Sequence, residues 1–386
     1  MRDSIKYYPV NWEDGMKINK SHFIAQNNAI DDAMHQMASL GLSPNRFGLL
    51  PPSVAGENNY SIQVSVDNQR RIRIALPHCQ AVTQGGVRIS IPALGNSLKQ
   101  GDQYPVIDFD LSKQSTESIW WVVLLVHPYE LQAAGEADLT ENPPRLSYVI
   151  PSYTVELVSS GQFNQYKANP YAISIGKIIV NGNDIRVDED YIPPCLTIAA
   201  HEDLKSLLQE IDRFMSNLES RCSLIVQKIF KKNQQNELSE LVQYLCDRMM
   251  MFLGPAVIQM RWQILHQSPD YLFGLLAALA RTMKNTIDLR IGSGREEMMN
   301  YLCEWCELKQ GELETMLSSV AGMSYNHTDI NASIPQVVQF VKITDRLFDT
   351  LSKMEFIGKR KDSGIFVKEE KNDPQDAAKA RRRFFG

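Results

Sequence analysis

The sequence has no long apolar run. Its longest stretches, Ile119 to Val126 and Met249 to Met260, fall short of the roughly 20 residues that cross a bilayer, and the second is broken by Gly254 and Pro255. Met1 to Gly15 is polar and charged, with no apolar segment of the kind a secretory signal needs. Cysteine is scarce, 6 in 386 residues, which excludes a disulfide framework and fits reduced thiols. Positive charge is not in excess. Acidic residues number 45 against 40 basic ones, a net charge of −5, the opposite of the balance expected of a nucleic-acid binder. Motifs for catalysis are missing as well: no Walker-A loop, no GxGxxG, no GxSxG elbow and no HExxH. Gly292–Ser293–Gly294 is too short to cradle a pyrophosphate and reads as a helix cap. These absences predict a cytoplasmic, non-enzymatic protein with no cofactor, no metal, no nucleic acid and no direct membrane insertion.

What is present is an ordinary soluble composition, 44% hydrophobic and 22% charged, long enough for two or three domains. The first half alternates with period two. Tyr60–Ile62–Val64–Val66, Ile72–Ile74–Leu76 and Val87–Ile89–Ile91 each read as a half-buried strand. Ile119 to Val126, with Trp120 and Trp121, is continuous enough for a strand buried on both faces. Tyr148 to Val158 and Ile173 to Val180 are further strands, and Asn181–Gly182 predicts a hairpin turn. One stretch, Ser21 to Met37, reads as helix. Short strands with turn signals between them predict a β-sandwich.

After Pro193–Pro194 the period becomes helical. Leu204, Leu208, Ile211, Met215, Leu218, Cys222, Ile225 and Ile229 recur at spacings of four and three, an a/d seam about four heptads long. Such a seam buries its face against partner helices, either within one chain or along an oligomer axis. Ser268–Pro269–Asp270 marks a helix start, and Ser293 with Glu296 has capping-box spacing. A last amphipathic helix runs from Ile334 to Met354, with Val337, Val341, Phe348 and Leu351 on one side and Gly358 as its stop. The fold class is therefore α+β, mainly β in the N-terminal half and all-α in the C-terminal half. The expected domains are residues 1–195, 196–356 and a basic tail at 357–386.

Residues with chemical potential are few. Cys303-x-x-Cys306 lacks a second ligand pair and lies in a helical pattern, so core cysteines are expected. Asp188, Glu189 and Asp190 could attract a cation, but their place between a strand and a Pro-Pro corner favours a solvated turn. His201, His266 and His327 are isolated and read as surface or interface residues. The tail closes with Lys379, Arg381, Arg382, Arg383, Phe384 and Phe385, either a solvated end or a peptide that docks aromatics in a groove and arginines on an acidic surface.

Three groups of residues resemble the TssK (ImpJ/VasE) family, the trimeric baseplate subunits of bacterial type VI secretion systems. The first is Val10-Asn-Trp12-Glu-Asp-Gly15-Met16 followed by Ser21-His22-Phe23. The second is Asp188-Glu-Asp190-Tyr-Ile-Pro193-Pro194-Cys-Leu196, leading into the heptad helix. The third combines His266-Gln-Ser-Pro269-Asp-Tyr271 with Tyr325-Asn-His327-Thr-Asp329-Ile330. The resemblance implies a β-sandwich shoulder akin to phage receptor-binding proteins, a helical-bundle neck and a homotrimer. It implies a shoulder that docks on a wedge of TssG- and TssF-like subunits, and a head that reaches the membrane complex. About thirty residues follow Met354, too few for a head with its own core. The basic aromatic tail is expected to contact membrane-complex components in its place.

The function expected is a trimeric adaptor at the inner face of the cell envelope. The wedge-binding residues expected are Trp12, Glu13, Gly15, Met16, His22 and Phe23. The α-helical seam from Leu204 to Ile229 is expected at the three-fold axis, where Ile225→Asp would crowd three carboxylates and break the trimer. A phage-like receptor- or carbohydrate-binding protein is the alternative, and a hydrolase or metalloenzyme using Cys303, Cys306 and nearby histidines a weaker third.

Overall fold

The structure is a computed structural model. It describes residues 5–54, 58–67, 69–92, 104–111, 118–182, 184–234, 236–289, 293–306 and 309–358, the side chains of 293, 306 and 310 excepted. The basic tail from Lys379 to Phe385 lies outside the described residues. The chain divides into two compact units. The first takes in everything up to His201 and also His327–Ile330; the second takes in Glu202–Asn326 and resumes at Asn331. The division expected at residue 195 is therefore drawn at His201, and a short segment from late in the sequence joins the first unit.

The first unit is a β-sandwich. Helix α1 (Lys20–Ser39) precedes strands β1 (Gly48–Leu49), β2 (Tyr60–Val66), β3 (Arg71–Val82), β4 (Arg88–Ile91) and β5 (Val106–Asp110). Strand β3 is the hub of this sheet and pairs antiparallel with the other four. Its alternating residues Ile72, Ile74 and Leu76 are fully buried, as period two requires. The second sheet follows the order β7-β6-β8-β9, all antiparallel, from β6 (Ile119–Asp138), β7 (Arg145–Ser159), β8 (Ala172–Asn181) and β9 (Asp184–Val187). The Asn181–Gly182 hairpin links β8 to β9 as expected. The sheets meet through Phe109 against Trp120, ring centroids 5.6 Å apart, and through the Tyr60 hydroxyl donating to the Ile175 carbonyl.

Strand β6 is buried on both faces for an identifiable reason. Trp120, Val122 and Leu124 face the other sheet. Trp121, Val123 and Leu125 are covered on the far side by helix α2 (Ser160–Lys167) and by Tyr191. Trp121 stacks on Phe163 at 4.2 Å and meets the edge of Tyr191 at 5.7 Å. The Asp188–Pro194 corner is thus a packing element. The Tyr191 hydroxyl donates to Ser174 Oγ at 2.8 Å and to the Thr328 carbonyl at 3.1 Å. Lys177 lies between Asp188 (3.7 Å) and Asp329 (3.4 Å), with its ammonium 5.2 Å from the Trp121 ring centre. Asp188 is therefore an ion-pair partner of lysine, and among the described residues no group of three metal-ligating side chains exists. The expectation for His327 is corrected: it is buried, with Nε2 2.8 Å from the Phe47 carbonyl oxygen and its ring against Phe47. Gly48, at φ +114, lets the backbone of β1 touch that of Pro194, where any Cβ would lie 2.0 Å from the carbonyl oxygen.

The second unit is a helical bundle of α3 (Glu202–Lys231), α4 (Glu237–Trp262), α5 (Pro269–Asp288), α6 (Ser293–Cys306), α7 (Gln310–Ala321) and α8 (Ile334–Lys353). Pro269 occupies the first turn of α5, where no amide donor is needed, although Ser268 makes no side-chain cap. Helix α8 ends at Lys353 rather than at Gly358. The last carbonyls near its end, Ser352 and Met354, accept from the Lys228 ammonium, which satisfies acceptors no helical amide reaches. Arg221 clamps α3 to α8 by binding Asp345 (2.5 Å) and Asp349 (3.2 Å). Helix α4 is long and apolar enough by composition to cross a membrane, yet its Leu241, Val242, Leu245, Met249, Leu253 and Met260 are buried in the bundle. Cys79, Cys195, Cys222, Cys246 and Cys303 are buried and form no disulfide.

The heptad seam is where expectation and structure part. Leu204, Leu208, Ile211, Met215, Leu218, Cys222, Ile225 and Ile229 are all buried within the single chain, Leu208 the most exposed at 9%. Side chains consumed by their own bundle have no surface to offer a second copy, so the three-fold axis expected along α3 is corrected to an intramolecular core. Ile225→Asp is accordingly expected to cost several kcal/mol of folding free energy and to abolish the cooperative thermal transition. Its neighbour Leu224 is 48% exposed, and Leu224→Asp is expected to leave the transition within a few degrees of the parent chain. A normal transition for Ile225→Asp would contradict the assignment.

Candidate docking face

Helix α1 is built inside out. Its buried residues are Ala29 and Asp32, whereas Phe23 (57% exposed), Ile30 (48%), Met34 (63%) and Met37 (73%) face solvent. The inward anchor is polar. The Asp32 carboxylate accepts from the Lys6 amide at 2.9 Å, the Tyr7 amide at 3.5 Å, the Tyr129 hydroxyl at 2.7 Å and the Gln36 side chain at 3.0 Å. Burial acts to raise its pKa, but the hydrogen bonds from Lys6, Tyr129 and Tyr7 outweigh that and hold it below its ordinary value. Gly86 fixes the other contact. At φ +83 it lies directly under α1, where a Cβ would come within 2.2 Å of the His35 carbonyl oxygen.

The N-terminal arm runs beside this helix. Asp32 holds its start, and Gln26 Oε1 accepts from the Val10 amide at 3.1 Å. Tyr7 packs on Tyr129 with centroids 4.4 Å apart. The arm then turns through Glu13–Met16, where the Met16 amide donates to the Glu13 carbonyl, with Gly15 in the turn. Glu13 accepts from the Asn11 side chain at 2.8 Å. His22 is used in the cap of α1, its Nδ1 accepting from the Asn19 amide at 3.3 Å, so it positions the helix end. The turn returns Trp12 to α1, 6.2 Å from Phe23 and 6.1 Å from His22.

Of the six residues the sequence pointed to, Trp12, His22 and Phe23 are brought together, while Glu13, Gly15 and Met16 form the turn that carries Trp12. Trp12 and Phe23 remain about half exposed, and Tyr8 and Ile18 of the arm are exposed as well. What sequence reasoning missed is the role of Asp32 and Tyr129 and the outward row along α1. That row had a signal, the repeated spacing of four and three from Phe23 to Met37. Elsewhere, a cavity of about 140 Å³ is lined, among the described residues, by Ser90, Ile91, Tyr104, Pro105, Gln132, Ile150 and Tyr153, none of them a carboxylate, histidine or cysteine. The geometry offers a surface for binding a protein.

The architecture is a β-sandwich unit carrying an exposed aromatic and apolar face, and a helical-bundle unit. Residues 139–288 match the family of bacterial type VI secretion proteins described as VC_A0110, EvfL, ImpJ and VasE. The match, from the β6–β7 hairpin to the end of α5, bears out the family resemblance seen in the sequence. No curated protein matches the chain. Among solved structures, a chain of the type VI secretion baseplate complex aligns at TM-score 0.49 and 17% identity, covering 89% of this chain and 99% of that one. A chain of the TssK-TssF-TssG baseplate subcomplex aligns at 0.47 and 17%, covering 89% and 99%. The crystal structure of TssK aligns at 0.45 and 14%, covering 90% and 70%. At these scores the functional case rests on the family match and the chain's own geometry.

Replacing Asp32 with alanine is expected to release the arm, because two backbone amides and a tyrosine hydroxyl lose a charged acceptor worth about 1.5–3 kcal/mol per bond. Tryptic cleavage after Lys6 and Lys17 should accelerate; unchanged cleavage would contradict the latch. The pH dependence has a definite sign. A depressed carboxylate pKa stabilises fully above the unfolded value, about 3.9, and the contribution disappears as pH falls through the lower folded value. The arm should therefore stay docked at neutral pH and loosen only below about pH 4.

Proposed function

We propose that the chain is a non-enzymatic structural subunit of a type VI secretion baseplate, working as a trimeric adaptor at the cytoplasmic face of the cell envelope. Its N-terminal face docks on a wedge of TssG- and TssF-like subunits. The observation that carries this reading is the pairing of a type VI secretion family match with an aromatic cluster, Trp12 and Phe23, held at the surface by the arm. A large, rigid aromatic pair at the surface is the kind of anchor on which binding energy concentrates. Docking several copies onto one wedge raises effective concentration without new contacts. Self-association belongs to this proposal and must use surface exposed in the single chain, since the α3 seam is spent within it.

Co-expression with TssG- and TssF-like subunits followed by pull-down tests the reading. Trp12→Ala with Phe23→Ala is expected to weaken capture roughly thirty-fold or more, about 2 kcal/mol or beyond, with an unchanged thermal transition. Undiminished capture would refute the assigned face. The proposal also gives the tail the contact with membrane-complex components, through Arg381, Arg382, Arg383, Phe384 and Phe385. Deleting Lys371 to Gly386 is expected to abolish binding to those components while leaving wedge capture intact. Unchanged binding would remove the tail from the account.

A further inference from the structure

The second sheet continues into a two-stranded ribbon. Strand β8 accompanies β6 only from Ile119 to Leu125, whereas β7 follows β6 as far as Asp138. From Leu131 outward, among the described residues, β6 therefore has β7 on one side and no strand on the other. A pair of strands standing alone is marginally stable in water, and a bare strand edge is a template for another chain. The two edges of the ribbon differ. That of β7 is blunted by Pro151 and by the charge of Arg145, whereas Leu131-Gln132-Ala133-Ala134 on β6 has neither proline nor charge. These four residues keep unbroken register with β7, opposite Pro151 to Tyr148. One face of the ribbon, through Gln132 and Ile150, looks onto the cavity beside Tyr104. The other carries Leu131, Ala133 and Val149, all exposed. Carboxylates bracket the edge, Glu130 before it and Glu136 after it, both exposed. Glu136 sits in a bulge with Gly135, whose φ is +92.

We infer that the β6 edge from Leu131 to Ala134 takes a further strand from a protein partner, an extended segment with apolar side chains between two cations. Every second amide and carbonyl of this stretch points away from β7, and an added strand pairs them. Alternate side chains of the added strand then lie on the face of Leu131, Ala133 and Val149. The charge of the occupant follows from the ribbon's own. Between Tyr129 and Ser152 stand Glu130, Glu136, Asp138 and Glu141 against Arg145, which is already bound to Glu141. His127 lies 4.0 Å from Glu130 and leaves it exposed. A lysine or arginine at each end of the incoming segment, about six residues or 20 Å apart, meets both bracketing carboxylates. A second copy of the same edge is the wrong partner, because antiparallel pairing would set Glu130 of each copy against Glu136 of the other. The same negative charge disfavours nucleic acid and anionic lipid. This surface is distinct from the Trp12–Phe23 face, and the inference does not rest on the baseplate reading.

The test uses the full chain and a fluorescent peptide in which a valine–threonine repeat separates two arginines by about six residues. A control peptide has glutamate in place of both arginines. In fluorescence anisotropy the arginine peptide is expected to bind, and the glutamate peptide to bind at least roughly tenfold more weakly. Glu130→Lys with Glu136→Lys should reverse that order. Methylating the backbone amides of the arginine peptide should weaken it by roughly tenfold or more, since strand pairing uses them, and this leaves the protein untouched. Both glutamates are exposed, and an unchanged thermal transition shows that the double variant folds. Equal binding of the two peptides, an order the double variant does not reverse, or full binding of the methylated peptide would overturn the inference. So would a parent chain that binds neither peptide. Binding that emerges only after deletion of Lys371 to Gly386 would overturn it in favour of the chain's own tail as the occupant.

Discussion

The buried carboxylate of Asp32 is the interaction on which the candidate surface depends. A helix lying on a sandwich ordinarily turns its apolar stripe inward, and the hydrophobic effect sets its rotation. In α1 the rotation is set instead by one anion that collects two amides of the arm and a hydroxyl from β6. Four hydrogen bonds to a charged acceptor can hold that orientation against the tendency of Phe23, Ile30, Met34 and Met37 to seek cover. The same carboxylate fastens the arm, so one group decides both which face of α1 looks outward and where Trp12 stands.

A second polar node has a comparable role inside the sandwich. Lys177, Asp188, Tyr191 and Asp329 draw together the end of β9, the corner before the Pro-Pro pair and a segment more than a hundred residues later in the chain. Burial of lysine between two carboxylates and over an indole ring satisfies its charge where a lone ammonium would be costly. The acidic run followed by Tyr-Ile-Pro-Pro and the Asn-His-Thr-Asp segment of this chain are thus halves of one contact.

Much of the fold was legible in the sequence because periodicity reports local geometry faithfully. Period two located the strands of both sheets, and the heptad spacing located α3 to within a few residues. Periodicity says that a face is buried; it does not say by what. The Leu204–Ile229 seam therefore read equally well as an oligomer axis, and only the burial of Ile225 and its companions within one chain decided the matter. The reverse held for α1. Its outward apolar row was hidden among Asn, Gln, Asp and His residues, and an aspartate in mid-helix reads as a solvated position. His327 escaped for a different reason: its acceptor, Phe47, lies 280 residues away, and no local pattern carries such a pairing. At the N-terminal face the sequence motif did not show the division of labour, in which His22 caps the helix while Trp12 and Phe23 stay exposed.

On the proposed function, the face built on Asp32 is covered by protein in the working assembly. Oxidative footprinting tests it directly, because Met34 and Met37 report on α1, Trp12 on the arm, and Met251 on α4 within the same sample. On passing from dilute chain to the assembled complex with wedge subunits, Trp12, Met34 and Met37 should each lose most of their reactivity. Full reactivity of all three in the assembled complex, with protection confined to Met251, would contradict the account.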